Sequence, residues 1–326
     1  PLGLLQMAVT RLCAVVLLPV IVYLIFLVIC FERFSNWNCI YTIFIQTIIP
    51  TITAYAIAYG NICGVFDFTI GSRLVISGVI GGLLAAQYGF AGMILGAIIS
   101  AIVVGIITGV LNWWLKIPSL VLTMGLAMVF EIVGSKLAGH YGFVQIDNKY
   151  AIFGSSPNIV IIFLLSAVLF YFIFNHTVFS FHMRAVGSNE AVAKNSGIKT
   201  DLVKCKSFVY GSVFIGIAAI LTLSQSGSVG AQTSLGSVTI MFKPLISVLL
   251  ALVLHRICDL TVGIFIAQFT LNIIFIGLIA VGLPDTFQNV VLGFFLLVVM
   301  ILFENSGRLE ELKEKKEARQ KAMSAS

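Results

Sequence analysis

The chain has 326 residues, of which 60% are hydrophobic and 10% are charged, and its formal net charge is +6. A soluble domain is usually about one quarter charged, so this composition excludes an ordinary soluble fold and indicates one large membrane-embedded domain. The positive charge does not indicate nucleic-acid binding, because most lysines and arginines lie in the segment 182–206 and in the tail after Glu304.

About ten hydrophobic runs approach the roughly 20 residues that a membrane-spanning helix needs. Backbone polar groups in lipid must be hydrogen-bonded internally, so these runs are expected to be helices. The predicted fold class is an all-α polytopic membrane protein with about ten transmembrane helices, formed by residues 1–303 and followed by a charged cytoplasmic tail, 304–326. The predicted spans are 12–31, 40–59, 68–87, 90–112, 117–137, 158–175, 207–225, 241–256, 260–281 and 286–303.

The basic residues predict the orientation of these spans. With the N-terminus inside the cell, the cytosolic segments contain most of the lysines and arginines. The outside segments then contain only Arg33, Lys136, Lys149 and Lys243. Because basic loops remain on the cytoplasmic side, we expect both termini to be cytoplasmic.

A polar, glycine-containing run, 60–72, interrupts the second and third spans. Non-helical backbone at membrane depth is tolerated where protein or a water-filled cavity satisfies it, and transporters use such breaks to present polar groups to a solute. The run predicts either part of a solute path or a plain turn between two spans. The candidate path residues are Asn61, Phe66, Asp67, Thr69, Gly71 and Ser72.

Three further features lie in the part of the chain from the fourth span to the loop before the sixth. Rows of small residues at four-residue spacing in the fourth span predict close helix packing; they are Gly92, Gly96 and Ser100, and Ala97, Ala101, Gly105 and Gly109. Glu131, inside the fifth span, indicates either a hydrogen bond to a neighbouring helix or, more weakly, a proton-coupling acid. The loop 138–157 is predicted to lie outside, as a solvated loop or a cover or docking surface.

The segment 182–206 is the long polar stretch between the sixth and seventh spans, and its basic residues place it in the cytosol. Ser188 is predicted to cap a short helix, Asn189–Asn195, and Gly197 is expected to end it. Thr200 or Asp201 is then expected to cap the next helix. A short cytosolic helix between two spans suggests a docking place for another protein or an ordinary amphipathic connector.

The sequence contains no GxxxxGK[ST] motif for nucleotide binding. The histidines are dispersed, and the six cysteines form no CxxC pair, so neither a hydrolytic site nor a metal site is expected. If transport uses ATP, we expect the ATPase to be a separate polypeptide.

Two sequence stretches resemble a known family. FDFTIGS at 66–72 with GVIGG at 78–82, followed by RAVGSNEAVAKNSGIKTDLVK at 184–204, is similar to the permease subunits of ribose-type ABC importers. The resemblance extends loosely from about Asn38 to Asn305. In that family a Gly-Gly-Thr-Ser-Leu-x-Gly-Gly-like turn follows the eighth span, whereas a charged turn stands here at 254–263.

The resemblance implies a channel-forming subunit in a bacterial cell membrane, without a cofactor of its own. A cytosolic ATP-binding subunit would bind the ATP, an external binding protein would deliver the solute, and a second permease copy or a paralogue would complete the channel among the membrane lipids. The residues expected to contact the ATPase are Gly187, Ser188, Asn189, Glu190 and Ala191.

The expected function is ATP-driven import of a sugar or a related polar small molecule. A neutral solute is favoured because the candidate path contains mainly amides and hydroxyls. The alternative is an ion- or proton-coupled secondary transporter that works without an ATPase, for which paired intramembrane acids are scarce. A membrane scaffold without transport activity would leave the break at 60–72 unexplained.

Overall fold

The computed structural model describes residues 2–255 and 258–284, together with 287, 290–291, 293–295, 297–298 and 301, and it describes side chains from Val16 onward. The predicted charged tail 304–326 and much of the predicted tenth span, 286–303, lie outside the described residues.

The described residues are mostly helical, which confirms the prediction of an all-α polytopic membrane protein. Their α-helices are α1 (Leu2–Ile29), α2 (Phe31–Phe34), α3 (Trp37–Ile62), α4 (Ile70–Leu115), α5 (Ser119–Leu137), α6 (Asn158–His176), α7 (Val178–Ser188), α8 (Glu190–Asn195), α9 (Thr200–Ser226), α10 (Val238–Leu254) and α11 (Leu260–Ala280). Two 3₁₀ helices, Gly139–Tyr141 and Asn148–Phe153, lie in the predicted outer loop. Two short strands, β1 (Phe143–Gln145) and β2 (Ser228–Gly230), were not expected from the sequence; they pair antiparallel.

Six of the described helices are long and apolar enough to cross a membrane, namely α3, α4, α5, α6, α9 and α11. The shorter apolar helices are Val16–Ile29, which is the C-terminal part of α1, and α10. Each of the first nine predicted spans falls on a helix. The third and fourth spans share α4, which is interrupted at Gly89 (φ 64°, ψ −147°), inside the predicted gap. The total of ten spans stays a prediction.

The chain forms two compact units. The smaller unit combines residues 1–40 with 246–326. In it, α1 packs along α11, and the contact requires a glycine, because a Cβ at Gly277 would lie 2.4 Å from the ring of Phe26.

The larger unit, residues 41–245, is built around α4 and α9, which pack against each other extensively. The predicted small-residue row supplies this contact. A Cβ at Gly105 would lie 1.8 Å from the Ser212 hydroxyl, and one at Gly109 would lie 2.8 Å from the Cys205 carbonyl oxygen. The prediction that this row serves helix packing is confirmed.

The predicted outer loop is packed onto this unit. β1 pairs with β2, which follows α9, so that Val144 faces Val229. The hydroxyl of Tyr150 donates a 2.9 Å hydrogen bond to the carbonyl of Ala85. The 138–157 segment is therefore anchored to both α4 and the end of α9.

Candidate functional site

Within the predicted coupling segment 182–206, the predicted ATPase-contact residues lie at the end of α7, at the start of α8 and in the turn between the two helices. Gly187 and Ser188 end α7, Glu190 and Ala191 begin α8, and Asn189 lies between the two helices. All five residues are exposed. The predicted ATPase-contact residues thus form one continuous surface patch.

The capping of α8 differs from the prediction by one residue. The Asn189 side chain, and not that of Ser188, accepts a 3.1 Å hydrogen bond from the backbone N–H of Val192. The Ser188 hydroxyl instead donates to the Ala185 carbonyl in the last turn of α7. The sequence contains two adjacent residues of the capping type, and only the path of the chain decides between them.

The end of α8 follows the prediction, and the beginning of α9 does not. Gly197 has φ 84°, and its N–H and that of the next residue bond back to the carbonyls of Lys194 and Ala193, as in a glycine-terminated helix. Lys199 occupies the N-cap position of α9 and makes no side-chain cap bond. Thr200 and Asp201 lie inside the first turn, so the prediction that one of them caps α9 is wrong.

Glu190 connects α8 to the base of α9. Its carboxylate forms a 2.7 Å ion pair with the ammonium group of Lys204. Because the carboxylate side chain is about half exposed, this pair is worth at most about 1 kcal/mol. It orients α8 more than it stabilises the fold.

Gly187 brings the docking patch into contact with the interior of the unit. A Cβ at this position would lie 1.6 Å from the carbonyl oxygen of Ile62, the last residue of α3. Any side chain here would force α7 and α3 apart. The patch therefore packs directly on the end of α3, where the break in the helices begins.

The break between α3 and α4 covers residues 63–69. Gly64, with φ 71°, ends α3. Arg73, in the first turn of α4, donates hydrogen bonds to the Phe208 carbonyl (3.3 Å) and to the Ser212 hydroxyl (2.8 Å). These partners lie in the N-terminal half of α9, so the first turn of α4 packs against that half of the helix.

A buried ion pair shapes this break. One carboxylate oxygen of Asp67 pairs with the guanidinium of Arg73. The other accepts hydrogen bonds from the backbone N–H and the hydroxyl of Thr69, at 2.9 and 2.5 Å. Arg73 is 1% exposed, and a buried pair of this kind requires its remaining hydrogen bonds to be satisfied. The contacts to α9 supply two of them.

The six predicted path residues divide into two groups. Asn61, Phe66 and Asp67 line a common cavity of about 10 Å³, which has room for one water molecule. Thr69, Gly71 and Ser72 are buried behind it, where they shape the start of α4.

The cavity has polar groups directed to its interior. It is also lined by Arg73 and Ser207 and by apolar groups of α3, α9 and α10. The side-chain amide nitrogen of Asn61 and the Nε of Arg73 are buried without a hydrogen-bond partner among the described residues. Such groups favour a bound water or a polar solute atom.

Glu131 is buried, at 3% exposure, and its partner is a loop. Its carboxylate accepts hydrogen bonds from the backbone N–H groups of Leu235 and Ser237, both at 2.8 Å. These residues precede α10. The predicted hydrogen bond is thus present, with the turn before a helix as its partner.

The loop before α10 reads Ala231-Gln232-Thr233-Ser234-Leu235-Gly236-Ser237. It leads from β2 into α10. The structure does not test the charged turn at 254–263, in which residues 256 and 257 lie outside the described part of the chain.

Sequence reasoning missed the partners of the buried charges. Arg73 had no assigned role, although its spacing of six residues from Asp67 across a break was a usable signal. Ser212 and the 231–237 loop gave no such signal, because they approach Arg73 and Glu131 only in the folded chain. No group of three or more His, Cys, Asp or Glu side chains that could hold a metal ion occurs in the described part of the chain.

Comparison with known proteins identifies the family. Residues 39–300 match the family described as branched-chain amino acid transport system / permease component. The chain is also similar to autoinducer 2 import system permease proteins LsrC. The relative from Yersinia pseudotuberculosis serotype O:1b (strain IP 31758) is 25% identical over 78% of this chain and 73% of its own length. The relative from Photorhabdus luminescens is 28% identical over 62% of this chain and 61% of its own length, and that from Photorhabdus laumondii is 27% identical over 78% and 77%.

No solved structure matches the chain. Membership of the matched family confirms the resemblance found in the two sequence stretches, and it implies a cytosolic ATP-binding partner and a substrate-binding protein. The chain therefore belongs to the family of branched-chain amino acid transport system permease components, and it is the multi-pass membrane subunit of a bacterial ABC importer, without an ATPase site of its own.

Proposed function

We propose that this chain carries a sugar or a related small polar molecule across the membrane, driven by ATP hydrolysis in its partner. The autoinducer 2 import permeases among its relatives support a small polar solute. The unpartnered amide of Asn61 and the polar wall of the cavity beside it support the same class. The relatives give no support to the ion-coupled alternative.

The proposed topology has ten spans with both termini in the cytosol. The pairing of β1 with β2 supports it, because these strands belong to two segments that the charge pattern places outside. The contact of Gly187 with Ile62 supports it as well, since it joins two segments assigned to the inside.

The proposed ATPase contact is the exposed patch 187–191. The observation that carries this proposal is the close approach of Gly187 to the carbonyl oxygen of Ile62. A docking surface is useful for transport only if its displacement reaches the solute path, and this contact joins the patch to the break at 63–69 without an intervening side chain.

The proposed path runs along the break, with Asn61, Phe66 and Asp67 at its wall. Thr69, Gly71 and Ser72 hold that wall in place from behind. A cavity with room for one water molecule corresponds to a closed path, which nucleotide-driven motion of α3 and α4 would open. A second permease, either a copy or a paralogue, would complete the assembly.

Reconstitution tests the function. The chain is co-expressed with its ATP-binding partner and its binding protein, and the purified complex is placed in liposomes. Uptake of radiolabelled ribose, autoinducer 2 and leucine is measured with ATP and, separately, with an ion gradient alone. We expect ATP-dependent uptake of ribose or autoinducer 2. Uptake of leucine alone would overturn the solute class, and uptake with the gradient alone would overturn the mechanism.

Substitution of the patch tests the docking residues. Ala191→Arg places a long charged side chain on the exposed start of α8 and should abolish co-purification of the ATPase. Asn195→Arg, at the exposed far end of the same helix, is the matched control and should retain it. Equal capture by both variants would remove the patch from the interface.

A further inference from the structure

The 231–237 loop has a backbone conformation that its residues do not favour. Ser234 and Leu235 both have positive φ, at 58° and 64°. This left-handed region is unfavourable for residues with a side chain, and for leucine in particular. Such conformations persist only where the surroundings impose them, so the neighbours of the loop must hold it in place.

Glu131 supplies one restraint. Its two carboxylate oxygens each accept one hydrogen bond, from the N–H groups of Leu235 and Ser237, and it does so from within α5. Charge-assisted bonds to a buried carboxylate are stronger than neutral ones. The carboxylate also lies at the N-terminus of α10, where the helix dipole favours a negative charge.

Gly71 supplies the second restraint. A Cβ at this position would lie 1.9 Å from the carbonyl oxygen of Ser237. The loop therefore rests on the first turn of α4, two residues from Arg73 and its ion pair with Asp67. The N-termini of α4 and α10 meet inside the unit, and each is preceded by non-helical backbone.

In the contact between the 231–237 loop and α4, one polar group lacks a hydrogen-bond partner. The hydroxyl of Ser237 is buried and has no hydrogen-bond partner in the part of the chain that the structure describes. A buried polar group without a partner is uncommon in a permanent contact. It fits a surface that separates and reaches a partner in another state of the protein.

We infer that Glu131 is a positioning residue for transport, which holds the 231–237 loop against Gly71 in the closed state and releases it when the path opens. This inference rests on the proposed function. The loop and the 63–69 break then form the two sides of one joint. Motion of the docking patch reaches the joint through Ile62 and the break, and the loop responds by leaving the first turn of α4.

The first experiment measures motion of the loop. In a variant whose six native cysteines are replaced by alanine, Ser237→Cys, at a position that is fully buried in the contact, is labelled with a bulky hydrophilic maleimide in the complete complex in nanodiscs. Labelling rates are compared without nucleotide and with ATP and vanadate. We expect the rate to change about tenfold between the two conditions. Asn148→Cys, in the outer loop, is the control and should label equally in both.

The second experiment tests Glu131 itself. Glu131→Gln retains the size of the side chain, but it can accept from only one of the two N–H groups and directs its own NH₂ at the other. Labelling of Ser237→Cys should become fast with or without nucleotide. The ATP consumed per solute transported should rise about tenfold, because hydrolysis continues while the joint no longer closes. Glu131→Asp should restore part of the coupling.

The two experiments distinguish a positioning role of Glu131 from a purely structural one. If Glu131 only stabilises the fold, Glu131→Gln will lower the yield of complex while the labelling response and the ATP-to-solute ratio of the folded fraction stay unchanged. That result, or nucleotide-independent labelling in the parent, would overturn the inference. Loss of ATP-dependent uptake in the parent complex would instead overturn the proposed function.

Discussion

The exposed patch 187–191 and the buried joint each contain one member of an ion pair between a carboxylate and a basic side chain. The first pair is partly exposed to solvent and the second is buried. In the patch, the ion pair between Glu190 and Lys204 is partly exposed to solvent. In the joint, the pair between Asp67 and Arg73 is buried, and its remaining groups bond to α9 and to Thr69. Water stabilises the members of the first pair when they separate, but nothing replaces the partners in the second.

This difference indicates how the two regions contribute to transport. Apart from Gly187, the patch is maintained by bonds within the segment 185–204. Its other residues can therefore be changed with little loss of stability, and we expect their effects to appear in partner binding. The joint is maintained by bonds between distant segments, so its residues affect folding and motion together. Gly187 belongs to the patch and contacts Ile62, the last residue of α3 before the break.

The largest expected effect is that of Arg73→Met, which leaves the carboxylate of Asp67 buried without its partner. Breaking a buried pair in this way costs about 3–5 kcal/mol, and we expect this loss in the free energy of unfolding of the purified chain in detergent. Lys204→Met, in the exposed pair, is the matched control and should cost less than about 1 kcal/mol.

Addition of Asp67→Asn to Arg73→Met should recover part of the loss, because the uncompensated charge is then removed. Similar losses for Arg73→Met and Lys204→Met would contradict the contrast between the two regions.

The second effect concerns Gly187→Ala. The added methyl group collides with the Ile62 carbonyl, so α7 and α3 must separate. We expect ATP-dependent uptake to fall about tenfold, equivalent to ~1.4 kcal/mol, while the chain still inserts into the membrane. Gly125→Ala in α5, where no atom lies within 4 Å of the added Cβ, should leave uptake unchanged; an equal fall there would remove the special role of Gly187.

The third effect is local. Asn189→Ala removes the N-cap of α8 and should destabilise this helix by about 1 kcal/mol, seen as faster amide hydrogen exchange at 190–195. Ser188→Ala leaves that cap in place and should leave the exchange of the same amides nearly unchanged. If Ser188→Ala gave the faster exchange, the cap would have been assigned to the wrong residue.

The smallest effect is that of Glu190→Gln on stability. It removes an exposed ion pair, so the free energy of unfolding should fall by less than about 1 kcal/mol, and the difference should disappear at high salt. The same variant should weaken ATPase capture if the patch is the docking surface. A salt-independent loss of several kcal/mol would show that the patch is part of the core.

The positions of the helices could be predicted from the sequence, because a bilayer requires long apolar runs whose backbone groups are hydrogen-bonded within each run. The interruption at Gly89 lies in the gap predicted between the third and fourth spans. The end of α8 at Gly197 was accessible for a similar reason, since a positive φ favours glycine. The cap at Asn189 was missed by one residue, because adjacent residues of equal capping ability are separated only by backbone angles.

The joint could be predicted from the sequence only in part. Asp67 and Arg73 are six residues apart, and the break between them was visible as a polar run in apolar sequence. Half of the candidate path residues do not line the cavity, and the sequence did not predict this. The side of a segment that faces a cavity depends on the neighbouring helices. Glu131 was recognisable as an unusual charge, but its partners were not.

The sequence by itself determined that this chain is a helical multi-pass membrane protein and, through two motifs, to which family it belongs, because composition and local spacing are properties of consecutive residues. Only the tertiary structure decided which groups satisfy the buried charges. Arg73 donates a hydrogen bond to Ser212, which is 139 residues away in the sequence, and Glu131 accepts one from Ser237, which is 106 residues away. Such pairings depend on which helices pack together. Small residues such as Gly105 and Gly109 permit the close contact of α4 with α9 that brings Ser212 to Arg73.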